Sequence, residues 1–350
     1  MVRMDEGMPF LLQYENVAWY EDGSVWILDR RCYPSEVKKV RCRDYRDVVQ
    51  AIQDMVTQSA GPYTAIGMGM ALAAHQVREK PLQEQLAFLK QAAEALAHSR
   101  PTQSNRYLQI TSGCFQVAKK ALEEGADPCA AVVDTTVQAL NRRYSTMQIV
   151  GNHLAELIPE GGSVLTQCYG ETVIGALIRA MRAKGKTFRA YCAETRPYMQ
   201  GARLTASCFA SSGIETTVLT DNMIAYAMES GLIDVFTSAA DTVCTDGTIA
   251  NKVGSLQIAI LAKHYGIPYY VTGTPDRGKS SRKDIVIEMR DASQVLNYRG
   301  IKTTLDGVQA IYPAFDIVPP HLISGIVTDK GVFVPHALKD YFHGNVKQFY

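Results

Sequence analysis

Between residues 163 and 251 the chain repeats one pattern four times: a short apolar run, a polar or reactive residue near its end, then a helix-like stretch. The runs are SVLTQC at Cys168, FRAYCAET at Glu194, TTVLTD at Asp221 and VFTSAAD at Asp241. Strands alternating with helices in this way are parallel neighbours joined by crossovers, which predicts a doubly wound, Rossmann-like α/β sheet. Such sheets bind ligands at the carboxyl ends of their strands. The pattern therefore directs one thiol and three carboxylates toward a common crevice.

The chain before this stretch follows a different grammar. Residues 11–33 alternate apolar and polar side chains around Glu21-Asp22-Gly23, a hairpin signal, and EVKKVRC adds a third short strand. Asp44 is the natural N-cap of an amphipathic helix over 44–58, with Val48, Val49, Ile52 and Met55 on one face. SAGPYT (59–64) then interrupts, and a very apolar helix follows in which Gly67 and Gly69 permit close backbone approach. The start of that helix is either an anion site or simply the end of a buried packing helix. Helical patterns continue over 82–97, 102–124 and 127–158. Arg100, just before Pro101, either contributes a guanidinium to an anion pocket or is a solvated surface residue.

At Pro159-Glu160-Gly161-Gly162 helices give way to strand–helix alternation, so the predicted boundary separates a hairpin-and-helix domain (1–158) from a Rossmann-like domain (159–350). The alternation extends through YYVTG and DIVIEM, with a polar loop over 274–283 between them. Residues 297–320 read as irregular, ISGIVTDKGVF as a last strand pair, and the tail from Ala337 as a short helix or arm.

Composition excludes several function classes. A formal net charge of +1 and the lack of any Lys/Arg-rich run argue against nucleic acid or an anionic membrane as partner. No apolar run is long enough to span a bilayer, and the N-terminal residues lack a signal-peptide core. The eight cysteines contain no CxxC pair and sit inside apolar patterns, which points to a reducing, cytoplasmic setting. None of the seven histidines pairs with a cysteine at ligand spacing, so no metal is expected. GxGxxG, the Walker loop and GxSxG are missing, so no dinucleotide or nucleotide cofactor is expected either.

The remaining chemistry belongs to the crevice. Cys168 precedes Tyr169-Gly170-Glu171 at a helix start, where the dipole favours a thiolate; it is either a nucleophile or proton carrier, or a buried structural cysteine. Asp241 follows a run of small residues and is either a general acid–base with raised pKa or a loop-fixing carboxylate. Glu194 and Asp221 can bind sugar hydroxyls or tie loops together. Asn251 and Lys252, placed at the start of the helix after Asp246-Gly247, make a phosphate cradle. A thiol, a carboxylate and a phosphate pocket fit proton shuttling on a phosphorylated small molecule.

Several strings occur together in one order: Glu194-Thr195-Arg196-Pro197, residues 200–206 (QGARLTA), Thr220-Asp221-Asn222-Met223, Ala240-Asp241, Asp246-Gly247, residues 250–254 (ANKVG) and Pro313-Ala314-Phe315-Asp316. In these the chain resembles the methylthioribose-1-phosphate isomerase family, a relative of the α, β and δ regulatory subunits of translation initiation factor 2B. The resemblance implies an aldose–ketose isomerase of a 5-substituted ribose 1-phosphate that needs no cofactor or metal and forms a homodimer. It implies catalytic roles for Cys168 and Asp241, and substrate or phosphate contacts for Arg100, Gln200, Asn251 and Lys252. Three departures line the implied pocket. Residues 60–64 (AGPYT) replace an Arg-Gly-Ala-Pro segment, the stretch after Cys168 is shortened, and Thr242 stands where an arginine usually follows the aspartate. Relatives acting on 5-deoxyribose 1-phosphate or ribose 1,5-bisphosphate share the same core chemistry. A non-catalytic regulatory subunit is the alternative from another class.

Overall fold

The computed structural model describes residues 3–100, 104–298 and 300–343, and the chain divides into two compact units that adjoin in sequence at Ser145 and Thr146. The change of grammar near residue 159 marks where strands begin; the division by packing falls earlier, inside a helix.

In the first unit, β1 (Ala18–Glu21), β2 (Ser24–Leu28) and β3 (Lys39–Cys42) form an antiparallel sheet, and Gly23 turns the hairpin with positive φ. Asp44 caps α1 (Tyr45–Gln53) by accepting from the Arg46 amide at 2.8 Å, while Asp47 accepts back from the Asp44 amide at 3.0 Å. This helix ends before the predicted residue 58 because the backbone turns through Met55 at φ +62°. Helix α2 (Gly61–Gln76) has Pro62 in its first turn and is buried on nearly all sides, as its uniformly apolar sequence demands. Its glycines accept close neighbours: a methyl at Gly67 would clash with Thr136, and one at Gly69 would press on Leu96 and Val48. Helices α3 (Leu82–Ala97), α4 (Ser104–Glu123) and α5 (Pro128–Glu156) follow, close to the expected ranges. The start of the segment expected over 102–124 lies partly outside the described residues.

The last turns of α5 belong to the second unit, where Gly151 lies so close to the Ala176 backbone that a Cβ would stand 2.7 Å from its carbonyl carbon. Along the chain come β4 (Gly162–Thr166), α6 (Thr172–Ala183), β5 (Phe188–Ala193), α7 (Ala206–Ser211), β6 (Thr216–Leu219), α8 (Ile224–Glu229), β7 (Val235–Ala239), β8 (Thr242–Val243), β9 (Ile249–Lys252), α9 (Ser255–His264) and β10 (Tyr269–Thr272). Then follow α10 (Ser293–Leu296), β11 (Asn297–Tyr298), β12 (Ile301–Lys302), β13 (Phe315–Val318), β14 (Gly325–Thr328) and β15 (Gly331–Phe333). The main sheet runs β15-β14-β10-β7-β4-β5-β6 and is parallel except for the hairpin strand β15. Strand β4 is buried throughout, as a central parallel strand covered on both faces must be, whereas the edge strand β6 is partly exposed. The α/β, doubly wound architecture expected from the alternation is the one observed.

Three local expectations change. Asn251 and Lys252 do not open a helix; they end β9, which sits between β8 and β13 in a small antiparallel sheet. The helix begins only after Gly254, whose φ of +100° breaks the strand. DIVIEM forms no strand, because its backbone is tied to the chain instead through a single bridge between Met289 and Pro313. Residues 315–318, expected to be irregular, form β13 against β9. Among the described residues no helix is long and apolar enough to cross a membrane.

After β5 the chain makes a π-helical turn, Gly201–Thr205, pressed against the strand it has just left. A Cβ at Gly201 would stand 1.8 Å from the Ala193 carbonyl oxygen. Gly201→Ala therefore lowers stability by ~1–3 kcal/mol, the usual cost of overpacking; a urea midpoint equal to that of the parent protein would contradict this packing.

Candidate active site

Chain direction in the main sheet reverses at β4, which has β5 and β6 on one side and β7 and β10 on the other. A switch of this kind opens a crevice at the carboxyl ends of the two strands that flank it. Strands β4 and β7 are hydrogen-bonded parallel neighbours with Thr166 opposite Thr237. Cys168 lies two residues beyond β4 and Asp241 two residues beyond β7, so both emerge at that crevice.

The loop carrying Cys168 is held in an unusual backbone conformation. Cys168 has φ +63° and Thr195, at the end of β5, has φ +66°, a costly region for a β-branched residue. Two threonine hydroxyls lock Cys168 in place. Its amide donates to Thr195 Oγ1 at 3.1 Å, and its carbonyl accepts from Thr205 Oγ1 at 2.5 Å. Gln167 adds a tie, donating from Nε2 to the Val253 carbonyl at 2.9 Å. On the facing side the Asp241 amide donates to the Ala250 carbonyl at 2.9 Å, registering β7's end against β9.

Burial pushes the Cys168 thiol up to about 11, with the Asp241 carboxylate acting in the same direction and the Lys252 ammonium and Arg290 guanidinium opposing it. The helix-start effect anticipated from sequence is thus outweighed by desolvation, and the resting group at neutral pH is the thiol. Asp241 itself is exposed, not walled by apolar groups as expected. Lys252 is buried, with its Nζ 4.9 Å from the centre of the Phe315 ring. Asn251 is buried beside it and donates from Nδ2 to Ser255 Oγ at 2.8 Å.

The remaining predicted residues divide. Gln200 is buried just before the π-helical turn, and its Oε1 finds no hydrogen-bond partner among the described residues. Asp221 uses its carboxylate to fix the turn after β5, accepting from the Thr195 amide at 2.8 Å and the Arg196 amide at 2.7 Å. Glu194 sits above the usual carboxylate range through burial and the charge of Asp221. Arg100 belongs to the other compact unit, after α3, where its guanidinium contacts the Met55 sulfur. In that unit two further arginines attend the segment before α2: Arg30 donates to the Gln58 carbonyl at 2.7 Å and Arg143 to the Ala60 carbonyl at 3.1 Å.

Sequence reading missed Thr195 and Thr205 as the clamps on Cys168, and Arg290 with Tyr312 as groups whose charge or dipole reaches the thiol. The available signal was Glu288-Met289-Arg290, an ion pair in a run otherwise read as an apolar strand.

A model of the "Initiation factor 2 subunit family" matches residues 61–335. The chain belongs to this family. It is 36% identical over 335 residues to the methylthioribose-1-phosphate isomerase of Chloroflexus aurantiacus, covering 91% of this chain and 95% of that protein. Identity to the enzyme of the same name from Pelotomaculum thermopropionicum is 33% over 334 residues, 92% of this chain and 91% of the relative. Among solved structures, 5-methylthioribose 1-phosphate isomerase from Pyrococcus horikoshii superposes with TM-score 0.79 at 29% identity, covering 94% and 96% of the two chains. Translation initiation factor eIF-2B, subunit delta, from A. fulgidus gives 0.78 at 27%, covering 91% and 96%. The family model thus takes in the strings from Glu194 to Asp316 that carried the resemblance.

The charges around the thiol set a titration. Alkylation of Cys168 by iodoacetamide, followed on its own peptide by mass spectrometry, should reach half its limiting rate near pH 11, well above an ordinary cysteine. Asp241→Asn moves that midpoint down and Lys252→Met moves it up, since one removes an anion and the other a cation. A midpoint near 8.5 in the parent protein would place the thiol outside this setting.

Proposed function

We propose that the protein is an aldose–ketose isomerase converting 5-methylthioribose 1-phosphate into 5-methylthioribulose 1-phosphate, the step named for its relatives and a step of methionine salvage. The observation that carries this reading is the emergence of Cys168 and Asp241 from adjacent parallel strands at one switch point. The anomeric phosphate locks the sugar as a ring, so the reaction must open the ring before hydrogen can move from C2 to C1.

Asp241, in its acid form, protonates the ring oxygen as the C1–O bond breaks; later its carboxylate takes the C2 hydroxyl proton. Cys168, which rests as the thiol, first passes its proton to the Asp241 carboxylate and so forms that acid. As thiolate it takes the hydrogen from C2 as a proton and, as thiol, returns it to C1, and the borrowed proton then comes back from Asp241. Each group ends as it began, so the cycle balances without an oxidant or reductant. Lys252 and Asn251 hold the substrate's anionic and hydroxyl groups, and Gln200 offers its buried amide oxygen. Glu194 is the sugar-facing carboxylate of the pair at the ends of β5 and β6, with Asp221 beside it holding the turn. We infer a cytoplasmic homodimer with no nucleic-acid or membrane partner.

Turnover of ribose 1-phosphates differing only at C5, read as ketose formation, tests the assignment. The 5-methylthio compound should be preferred over the 5-deoxy compound and over ribose 1,5-bisphosphate; a reversed order would reassign the substrate. Cys168→Ser and Asp241→Asn should each fold normally and lose ~10²–10⁴-fold in kcat, and near-parental turnover in either would remove that residue from the reaction. Light scattering should give twice the monomer mass of 38.6 kDa, and a monomer peak would refute the dimer.

A further inference from the structure

We propose that Arg290 is a positioning residue of this site: clamped by Glu288 and laid between Tyr312 and Phe315, it sets the charge balance in which Cys168 exchanges its proton. The proposal takes its purpose from the isomerase reading and its evidence from geometry. Arg290 Nε donates to Glu288 Oε1 at 2.8 Å, and its side chain is only 12% exposed. The guanidinium carbon lies 6.0 Å from the centre of the Tyr312 ring and 5.7 Å from that of Phe315. The backbone holds the same arrangement. The Arg290 amide donates to the Tyr312 carbonyl at 2.9 Å, the Ala314 amide donates to the Glu288 carbonyl at 2.8 Å, and Met289 bridges to Pro313 between them.

Phe315 is also the ring addressed by Lys252, its register partner across β13 and β9. One aromatic plate thus gathers two cations. Glu288 neutralises one of them in place, and despite burial its charge holds the guanidinium firmly protonated. Tyr312 is buried against Arg290 and feels the Cys168 sulfur. The groups facing the thiol are therefore Lys252 from β9, Asp241 from the end of β7, and Arg290 with Tyr312 from the segment before β13; the Tyr169 amide also reaches it. Two are full cations and one is an anion. Removing Arg290 leaves Lys252 alone against Asp241, whereas removing the Glu288 charge leaves Arg290 unopposed.

These two changes push the thiol in opposite directions, which a general loosening of the site does not do. The assay is alkylation of Cys168 by iodoacetamide in the full-length, ligand-free protein across pH 8–11, with circular dichroism melting as the check on folding. At fixed pH, Arg290→Gln should slow alkylation roughly 3- to 10-fold, Glu288→Gln should speed it by a similar factor, and Arg290→Lys should stay near the parent. A shift of the same sign in Arg290→Gln and Glu288→Gln, or no shift in either, overturns the proposal. Should Arg290→Gln fail to fold, Glu288→Gln decides alone: acceleration supports the role, and slowing or no change removes it. No substrate enters the measurement. A parent protein inactive on every ribose 1-phosphate, yet showing these opposed shifts, would therefore refute the isomerase reading and leave the positioning of Arg290 intact.

Discussion

The pairing of β4 with β7 is the constraint on which the rest depends. Parallel strands that are not consecutive in sequence meet there because the sheet grows outward in both directions from β4. No crossover helix can cover the ends of two strands whose connections leave on opposite sides, so the crevice is a consequence of topology. Any residue placed one or two positions beyond either strand is delivered to it. Cys168 and Asp241 occupy those positions, and each is then refined locally: the cysteine by two threonine hydroxyls, the aspartate by the β8–β9 pairing that begins at its own amide.

Strain and charge at the crevice follow from that delivery. Among the described non-glycine residues with positive φ, Cys168, Glu171, Thr195 and Met199 all fall in the loops after β4 and β5. Conformations of this kind persist only where surrounding contacts over-determine them. Here Asp221 contributes by binding two consecutive amides of the neighbouring turn. Cys168 is consequently held partly buried as a neutral thiol, and Lys252 and Arg290 counter Asp241 without reversing the effect of burial. A group so held is a poor resting nucleophile, because the thiolate is the minor form.

Legibility in the sequence divided along the range of the interactions involved. The α/β alternation, the hairpin around Gly23, the Asp44 cap and the strand-end placement of Cys168 and Asp241 are local patterns, and local patterns are written in consecutive residues. The small sheet β8-β9-β13 was not legible, because Asn251-Lys252 followed by Val253-Gly254-Ser255 reads as a helix start until a strand over sixty residues away pairs with it. The same long-range pairing hid Arg290. Its run looks like an apolar strand, and only the bridge from Met289 to Pro313 shows that the chain folds back there to bring Glu288, Arg290 and Tyr312 together. Exposure of Asp241 also depends on what surrounds the strand end in space, which its small, apolar sequence neighbours misrepresent.

Fold alone does not choose between an isomerase and a regulatory subunit, since solved structures with both names superpose almost equally well on this chain. The side chains discriminate. A module that only binds a sugar phosphate needs cations and hydrogen-bond donors, which Lys252 and Asn251 provide. It has no use for a thiol locked at positive φ beside a carboxylate, because that conformation costs stability and a neutral thiol adds little to anion binding. Retaining that strained conformation makes physical sense where the sulfur's proton is itself exchanged. The same logic places the departures from the family pattern. Thr242 stands where the resemblance leads one to expect an arginine, and the cations that act on Cys168 are Lys252 and Arg290.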